Sequence, residues 1–415
     1  LTEEAKYTEA QTLAFDPATA QDYGERLDGK NFLLLRLERG STALVAGDAR
    51  ASVAAFEEAN SASASNYTMS TWDKVLQWIN NDSSAAYYSR PHEDLYVSTL
   101  SQVAHLVDGK LEAGAITDAE RQLEKVSHLK AWYADGLRQI REQDKEKLFE
   151  KGTVGSGFDS KKAGQFLDSP LGMYLSAISF TQYGVQDKAR LSISRFQEAL
   201  AAAPDGDHPL QRTAFADFGS LCPSSGNVVV VAFSGRSPEF VSKRFPVPVL
   251  GKVLPASIPE IKPVSSPVSN AHLELRDGST RDLVLVEDMA AVVTENFDRQ
   301  REAICYRAAV RMALKVGIVT AATLAVGNDH EDGEWFKVAV AGAGLLWIRE
   351  TETADTRAWT TLPGQARVGL VKLPPGELEV RVVFNGNNGY LFEGPWTKIT
   401  APGSGVRAVV ARSPK

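Results

Sequence analysis

The chain has 415 residues, 43% hydrophobic and 23% charged, with a formal net charge of −7. That is the composition of a globular protein with room for two or three cores, and its acidic balance excludes a broad basic field for nucleic acid or anionic lipid. No uncharged apolar run reaches the roughly 18 residues of a bilayer span. The nearest, Gly317–Val326, follows Arg311 and Lys315 and reads as a buried helix end.

The sequence opens on Leu1 without a signal peptide, which suits a processed exported chain and equally a trimmed one. The two cysteines, Cys222 and Cys305, lack CxxC spacing. They read as one disulfide in an oxidising compartment or, for Cys305, as a buried thiol in a helix.

Before residue 205 apolar residues recur at helical spacing; after it come β-branched runs broken by Pro and Gly. Leu33–Val45 and Arg50–Ala59 form a helix pair joined at Ala46-Gly47-Asp48, followed by a short helix at Trp72–Ile79 and a longer one at Asp94–Leu111. Thr117 and Glu120 have capping-box spacing ahead of a charged helix that extends toward Lys151. Within it, Arg138–Lys151 mixes charges at i, i+4 spacing and reads as a solvated face. Ser169-Pro170 is a helix start and Gly184 a stop.

Three of these pairs share a small-x3-large-x2-small spacing. Gly40 and Gly47 precede Ser52, Phe56 and Ala59; Gly114 precedes Ala119, Leu123 and Val126; Ala177 and Gly184 precede Ser192, Phe196, Ala199 and Pro204. This resembles the second helix of tetratricopeptide repeats of about 34 residues, in which small residues admit a neighbouring helix and the large one fills its groove. A generic helical bundle is the alternative.

Beyond Asn227, Val228–Phe233 reads as a buried strand and Phe240–Leu250 as an extended edge, since Pro246 and Pro248 cannot donate to a ladder. Val253–Pro267 reads as a proline-rich extension, and His272–Leu275 with Asp282–Val286 as a hairpin turning at Asp277-Gly278. A long helix is expected over Glu287–Ala325, with Glu287 and Asp288 complementing its dipole. Strands are expected at Phe336–Val340 and Leu345–Arg349. Further strands are expected at Gln365–Leu373 and Glu377–Phe384 around Pro374-Pro375-Gly376, and at Val406–Ala411. In Glu377–Phe384, Leu378, Val380, Val382 and Phe384 alternate with charged residues, so one face is wet.

The fold expectation is therefore multidomain, α then α+β. Residues 1–28 form an N-terminal extension, 29–205 a TPR-like α-solenoid, and 206–415 a β-rich domain with one long helix at about 287–325.

The segment Ala354–Pro363 (ADTRAWTTLP) stands out. With the last repeat, the VVVVAFSGRSPEF strand, the Pro-rich extension and VKLPPGELEVRV, it resembles an uncharacterised family of tetratricopeptide-bearing bacterial envelope proteins, many of them predicted outer-membrane lipoproteins. The resemblance spans roughly residues 30 to 385. It implies export to the periplasm or outer membrane, membrane contact only through an N-terminal lipid, and no assigned reaction; the N-terminal cysteine such a lipid needs is replaced here by Leu1. Read from the residues, Asp355 and Arg357 pair to fix a loop, Trp359 buries its ring and seeks an acceptor for its NH, and Pro363 turns the chain into the next strand. The competing reading is a partner or ligand epitope with Trp359 and Arg357 as anchors.

Signals for chemistry are weak. The six histidines are scattered, without HExxH or zinc spacing, and no GxSxG occurs. Gly152–Gly157 mimics a phosphate loop, but Phe158 and Asp159 stand where Lys and Ser/Thr belong; Val338–Gly344 mimics a dinucleotide loop, but Trp347 replaces the third glycine. Asn328–Glu334 is acidic without EF-hand spacing, and the sequons at Asn66 and Asn81 read as chance. The expectation is a non-enzymatic envelope scaffold that docks protein partners on its repeats, with no cofactor, metal or nucleic acid. The alternatives are a subunit of an oligomeric assembly, pairing through strand edges, and a glycan or small-molecule module using Trp335, Trp347, Trp359 and Trp396.

Overall fold

A computed structural model describes residues 31–64, 87, 89–109, 114–144, 167–212, 226–249, 252–325, 333–351 and 354–413. The expected helix at Trp72–Ile79, the Gly152–Gly157 loop, most of the Asn328–Glu334 loop, Cys222 and both sequons lie outside the described residues.

The N-terminal half consists of helical hairpins. α1 (Phe32–Val45) pairs with α2 (Ala49–Ala64), α3 (Pro91–Asp108) with α4 (Ile116–Asp144), and α5 (Pro170–Tyr183) with α6 (Gln186–Ala202). Each helix packs on the next in sequence, and α3 also touches α1 and α5. Small residues set these approaches. A Cβ on Gly40 would lie 2.4 Å from the Phe56 ring, and the Ser52 hydroxyl donates to the Gly40 carbonyl at 2.8 Å. In the last hairpin the Phe196 ring meets Tyr174 at 5.7 Å. Phe56, Ala59, Ala119, Phe196 and Ala199 are buried, whereas Leu123 and Pro204 are half-buried.

Local signals place the helix ends. The Ser169 hydroxyl accepts from Gly172 N with Pro170 next to it, and Gly184 takes φ 86° to stop α5. Gly47 turns α1 into α2 at φ 83°. Thr117 lies inside the first turn of α4 and so is not its cap.

The C-terminal half is a curled eight-stranded sheet of order β10-β1-β6-β5-β4-β7-β8, with β9 also on β7. Its strands are β1 (Val228–Ser234), β4 (Val268–Leu275), β5 (Thr280–Asp288), β6 (Gln365–Val371), β7 (Gly376–Gly386), β8 (Gly389–Glu393), β9 (Thr397–Ala401) and β10 (Arg407–Arg412). All pairs are antiparallel except β1 with β10. The run of valines in β1 is explained by burial on both faces. Val229, Val231 and Phe233 join the core shared with the helices, and Val228, Val230 and Ala232 join the core inside the curl. The first of these cores includes side chains from α1, α3 and α5 as well as from β1, β5, β6 and β10, so helices and sheet share one apolar interior.

A second unit projects from this body. β2 (Glu239–Val249) and β3 (Lys252–Lys262) form a two-stranded ribbon, packed on α7 (Met289–Ala325), which pairs with α8 (Gly333–Thr351). Its small core is built on Ala256, Ile258, Ala308, Met312, Val316 and Ile348.

Three expectations are corrected or refined here. Val253–Pro267, expected as a proline-rich extended stretch, supplies most of β3 (Lys252–Lys262). Its prolines are tolerated because Pro246↔Pro255, Pro248↔Val253 and Ser242↔Pro259 all fall in the same alternate set of pairs, the set without ladder hydrogen bonds. Phe336–Val340 and Leu345–Arg349, expected as strands, lie in one helix, α8. Of the two glycines between them, Gly344 is a helix contact and not part of a dinucleotide loop: a Cβ there would lie 2.4 Å from Val319 Cγ1, whereas nothing lies within 4 Å of that position on Gly342. The long helix expected from about Glu287 begins at Met289, with Glu287 and Asp288 at the end of β5; the Asp288 carboxylate accepts from Ala291 N at 2.8 Å, so it caps α7 where its charge complements the dipole, as expected.

Phe56→Ala is expected to cost about 3–5 kcal/mol in urea unfolding, because the cavity opens beside a backbone held by Gly40. Gly47→Ala should cost only about 1–2 kcal/mol, since nothing lies within 4 Å of its Cβ position and only the left-handed backbone resists.

Candidate functional site: the helix–sheet latch

The Ala354–Gly364 segment runs between α8 and β6 and lies across the first helices of the first two helical hairpins, α1 and α3. Asp355 and Arg357 form a bidentate pair, Nε to Oδ1 at 3.0 Å and Nη2 to Oδ2 at 2.7 Å, and Arg357 N also donates to Oδ1 at 2.9 Å. The same guanidinium reaches Asn31 Oδ1 at 2.8 Å, just ahead of α1. From α3's N-terminus, Arg90 donates to the carbonyl oxygens of Arg357 at 2.9 Å and Asp355 at 3.3 Å, and lies 3.7 Å from the Phe240 ring centroid.

Trp359 is 1% exposed. Its indole NH donates to Ser41 Oγ at 2.9 Å, its ring meets Phe56 at 5.9 Å, and its backbone NH donates to Glu93 Oε1 at 2.9 Å. Glu38 of α1 collects the next two amides, Thr360 N at 2.6 Å and Thr361 N at 3.1 Å. Pro363 is buried, Gly364 N donates to Ser234 O, and β6 begins at Gln365. The four residues singled out in the sequence thus lie within one loop. A Trp sealed this deeply cannot anchor a partner from outside.

Two buried carboxylates that sequence reading did not assign as acceptors hold the rest of the interface. Glu93 accepts from Tyr87 OH at 2.6 and 2.7 Å, Arg90 N at 2.8 Å and Trp359 N. Burial raises its pKa, opposed by Arg90 and these donors. Glu287 of β5 accepts from Tyr96 OH of α3 at 2.6 Å, and from Ser169 Oγ at 2.6 Å and Leu171 N at 2.9 Å at the start of α5. Burial pushes its pKa up to about 7 against those three hydrogen bonds. His92, buried and stacked on Phe240, is driven down to about 3 by desolvation and by Arg90. Its neutrality suits a packing role. The only signal for such acceptors in sequence is an acidic residue next to an apolar stretch, which surface acids share.

Arg367 of β6, also unassigned from sequence, is buried and donates to Ser234 Oγ, Gln365 Oε1 and the carbonyls of Val268 and Ser269. Desolvation lowers its pKa to about 10. Ser101, His105 and Asp118 also meet between α3 and α4, the Ser and His both bonding Asp118 Oδ2 at 2.7 and 2.8 Å. The serine hydroxyl therefore points at the acid and not at the imidazole, which is not a nucleophile relay. The side chain of Trp335 lies outside the described residues; of the other three tryptophans, Trp359 is in the latch, Trp347 is on α8, and Trp396, beyond β8, lies under Arg276 and Arg381, so these do not converge. Among the described residues no group of three metal-binding side chains occurs. Compared with known proteins, the chain matches no family model, no curated protein and no solved structure.

Glu93→Ala strands three donors in a dry interface and is expected to cost about 3 kcal/mol or more in chemical unfolding, with loss of Trp359 burial read by fluorescence. For Glu287, the folded pKa lies above the ordinary glutamate value, so the folded state favours the neutral acid. The associated stability is complete below about pH 4 and is lost as pH rises through 7, by roughly 3 kcal/mol for a shift of this size. Glu287→Gln should flatten that part of the pH–stability curve and leave the variant more stable than the parent at pH 8.

Proposed function

We propose that the chain is a non-enzymatic scaffold of the bacterial cell envelope, in the periplasm or at the outer membrane, that holds protein partners. The hairpins are read as degenerate TPR-like repeats in a short α-solenoid. Their first-helix face, the expected docking surface, meets the chain's own sheet and latch through Glu38, Ser41, Glu93 and Tyr96. The partner surface is therefore assigned elsewhere.

The observation that carries the reading is the exposed apolar surface of the projecting helix pair. Ile318 is 61% exposed, Leu324 75%, Val338 64% and Leu346 60%, with Trp347 beside them at 45%. Isolated exposed apolar side chains need no explanation, but five large ones on the two helices of one pair are more than such isolated cases and are read as a contact surface. Among the described residues no helix is long and apolar enough to cross a membrane. A protein occupant, of the envelope, is the reading adopted; self-association of the same surface is the second reading, in line with an oligomeric assembly.

Aspartate at Ile318 and Leu346 should leave stability within about 0.5 kcal/mol, since both are exposed. A photo-crosslinker at Trp347 is expected to give a discrete protein adduct in envelope preparations, lost in the Ile318→Asp, Leu346→Asp chain. An adduct with a second copy would select the assembly reading. Failure to crosslink any protein from this surface would overturn the scaffold reading.

A further inference from the structure

The curled sheet does not close. Among the described residues, β10 at one end pairs with β1 alone, while β8 and β9 at the other pair with β7 alone. Between the two ends lies a cleft of about 840 Å3, walled on one side by β10 and on the other by β7, β8 and β9, with the α1–α2 turn at its rim. Val380, Val382, Phe392, Ile399 and Val409 give it an apolar interior.

The edge of β10 within this cleft is chemically unfinished. Arg407 N donates to Asn227 O and Ser413 N to Phe233 O, so the amides of alternate residues starting at Arg407 face β1. Strand alternation turns the N–H and C=O of Ala408 and Val410 away from β1. Neither has a hydrogen-bond partner among the described residues, although Ala408 is only 7% exposed. Backbone groups this shielded are ordinarily paired, and an added strand pairs them all at once.

The lining is also one-sided in charge. Arg381, Lys398, Arg407 and Arg412 line the cleft and no carboxylate does, in a chain of net charge −7. Arg381 is held by Glu274 and Glu393, whereas Lys398 and Arg407 make no ion pair among the described residues.

We infer that the cleft takes an extended acidic peptide segment of a partner protein, which adds to the free edge of β10 and lays alternate apolar side chains on the interior of the curl. The inference rests on the scaffold reading in that the occupant belongs to a protein, and it names that partner's chemistry at a site separate from the projecting helices. A segment matching β10 would have about six residues and span roughly 20 Å.

The test uses the full chain and a fluorescein-labelled peptide of three Val-Glu repeats with glycine flanks, read by anisotropy. Saturable binding is expected, with the Val-Lys counterpart at least tenfold weaker. N-methylating one alternate set of peptide amides should weaken binding at least tenfold, and methylating the other set should not, because only one set faces β10. Lys398→Glu with Arg407→Glu should weaken binding by a similar factor. Val410→Pro removes an amide that does not serve the β1 ladder, so the fold should persist by circular dichroism while binding is lost. The N-methyl arm needs no variant and decides the matter if Val410→Pro misfolds. Absence of saturable binding, equal binding of both methylated peptides, or binding of phosphatidylglycerol vesicles in place of the peptide would overturn the inference. Crosslinking from Trp347 is unaffected by any of these results, so the scaffold reading stands or falls separately.

Discussion

The constraint on which the rest depends is the pairing of backbone amides in a dry interface between helices and sheet. The latch brings Trp359 N, Thr360 N and Thr361 N onto helices whose own backbone groups are already bonded, and the start of α5 adds Leu171 N. Such donors cost free energy unless an acceptor is built in. Glu38, Glu93 and Glu287 are those acceptors, one on α1, one on α3 and one on β5. Glu93 and Glu287, which are buried, are tolerable in the interior only because several donors converge on each, whereas Glu38 and Thr360 lie at the partly exposed rim of the interface. Neither half is complete alone: without the helices Glu287 would lose all three of its donors, and the Trp359 amide would lose its acceptor.

This reciprocity explains why the chain departs from the expectation of an open repeat array. Helical hairpins leave an apolar face that must be covered by another repeat, a partner or a further element. Here the shared core runs from Leu37, Phe56 and Leu95 through Trp359 to Val229, Val231 and Phe233 without a break. The cover is intramolecular, and the hairpins act as a clamp on β1, β5, β6 and β10.

What was legible in the sequence follows the range of the interaction responsible. The Ser169-Pro170 start, the Gly47 and Gly184 stops and the turn at Gly278 are local chemistry and read directly. The alternation in β7 was legible because one of its faces is packed and the other is charged. The Asp355–Arg357 pair was legible because a single residue separates its members. In α8, by contrast, short apolar runs split by glycine look like strands, and only contact with Val319 of α7 explains Gly344. Proline in β3 argues against a strand until its partner register is known. The roles of Glu93 and Glu287 were illegible for the same reason: the donors of Glu287 are 116 to 191 residues away in sequence, and that of Glu93 at Trp359 is 266 away.

An interior joined in this way limits where other molecules can act. The face usually left to partners by a helical array is closed, and opening it would expose Trp359, take one donor from Glu93 and take all three from Glu287. On the proposed scaffold reading, binding falls to surfaces whose occupation breaks nothing: the projecting pair α7–α8, with its exposed aliphatic side chains, and the unfilled end of the curled sheet. The two differ in physics. The first offers area without direction, which suits apolar contact of adjustable geometry, whereas the second offers ordered backbone groups and a sign of charge, which selects for chain conformation and composition. A scaffold with both can hold one partner by each, and the rigid interior fixes the spacing between them.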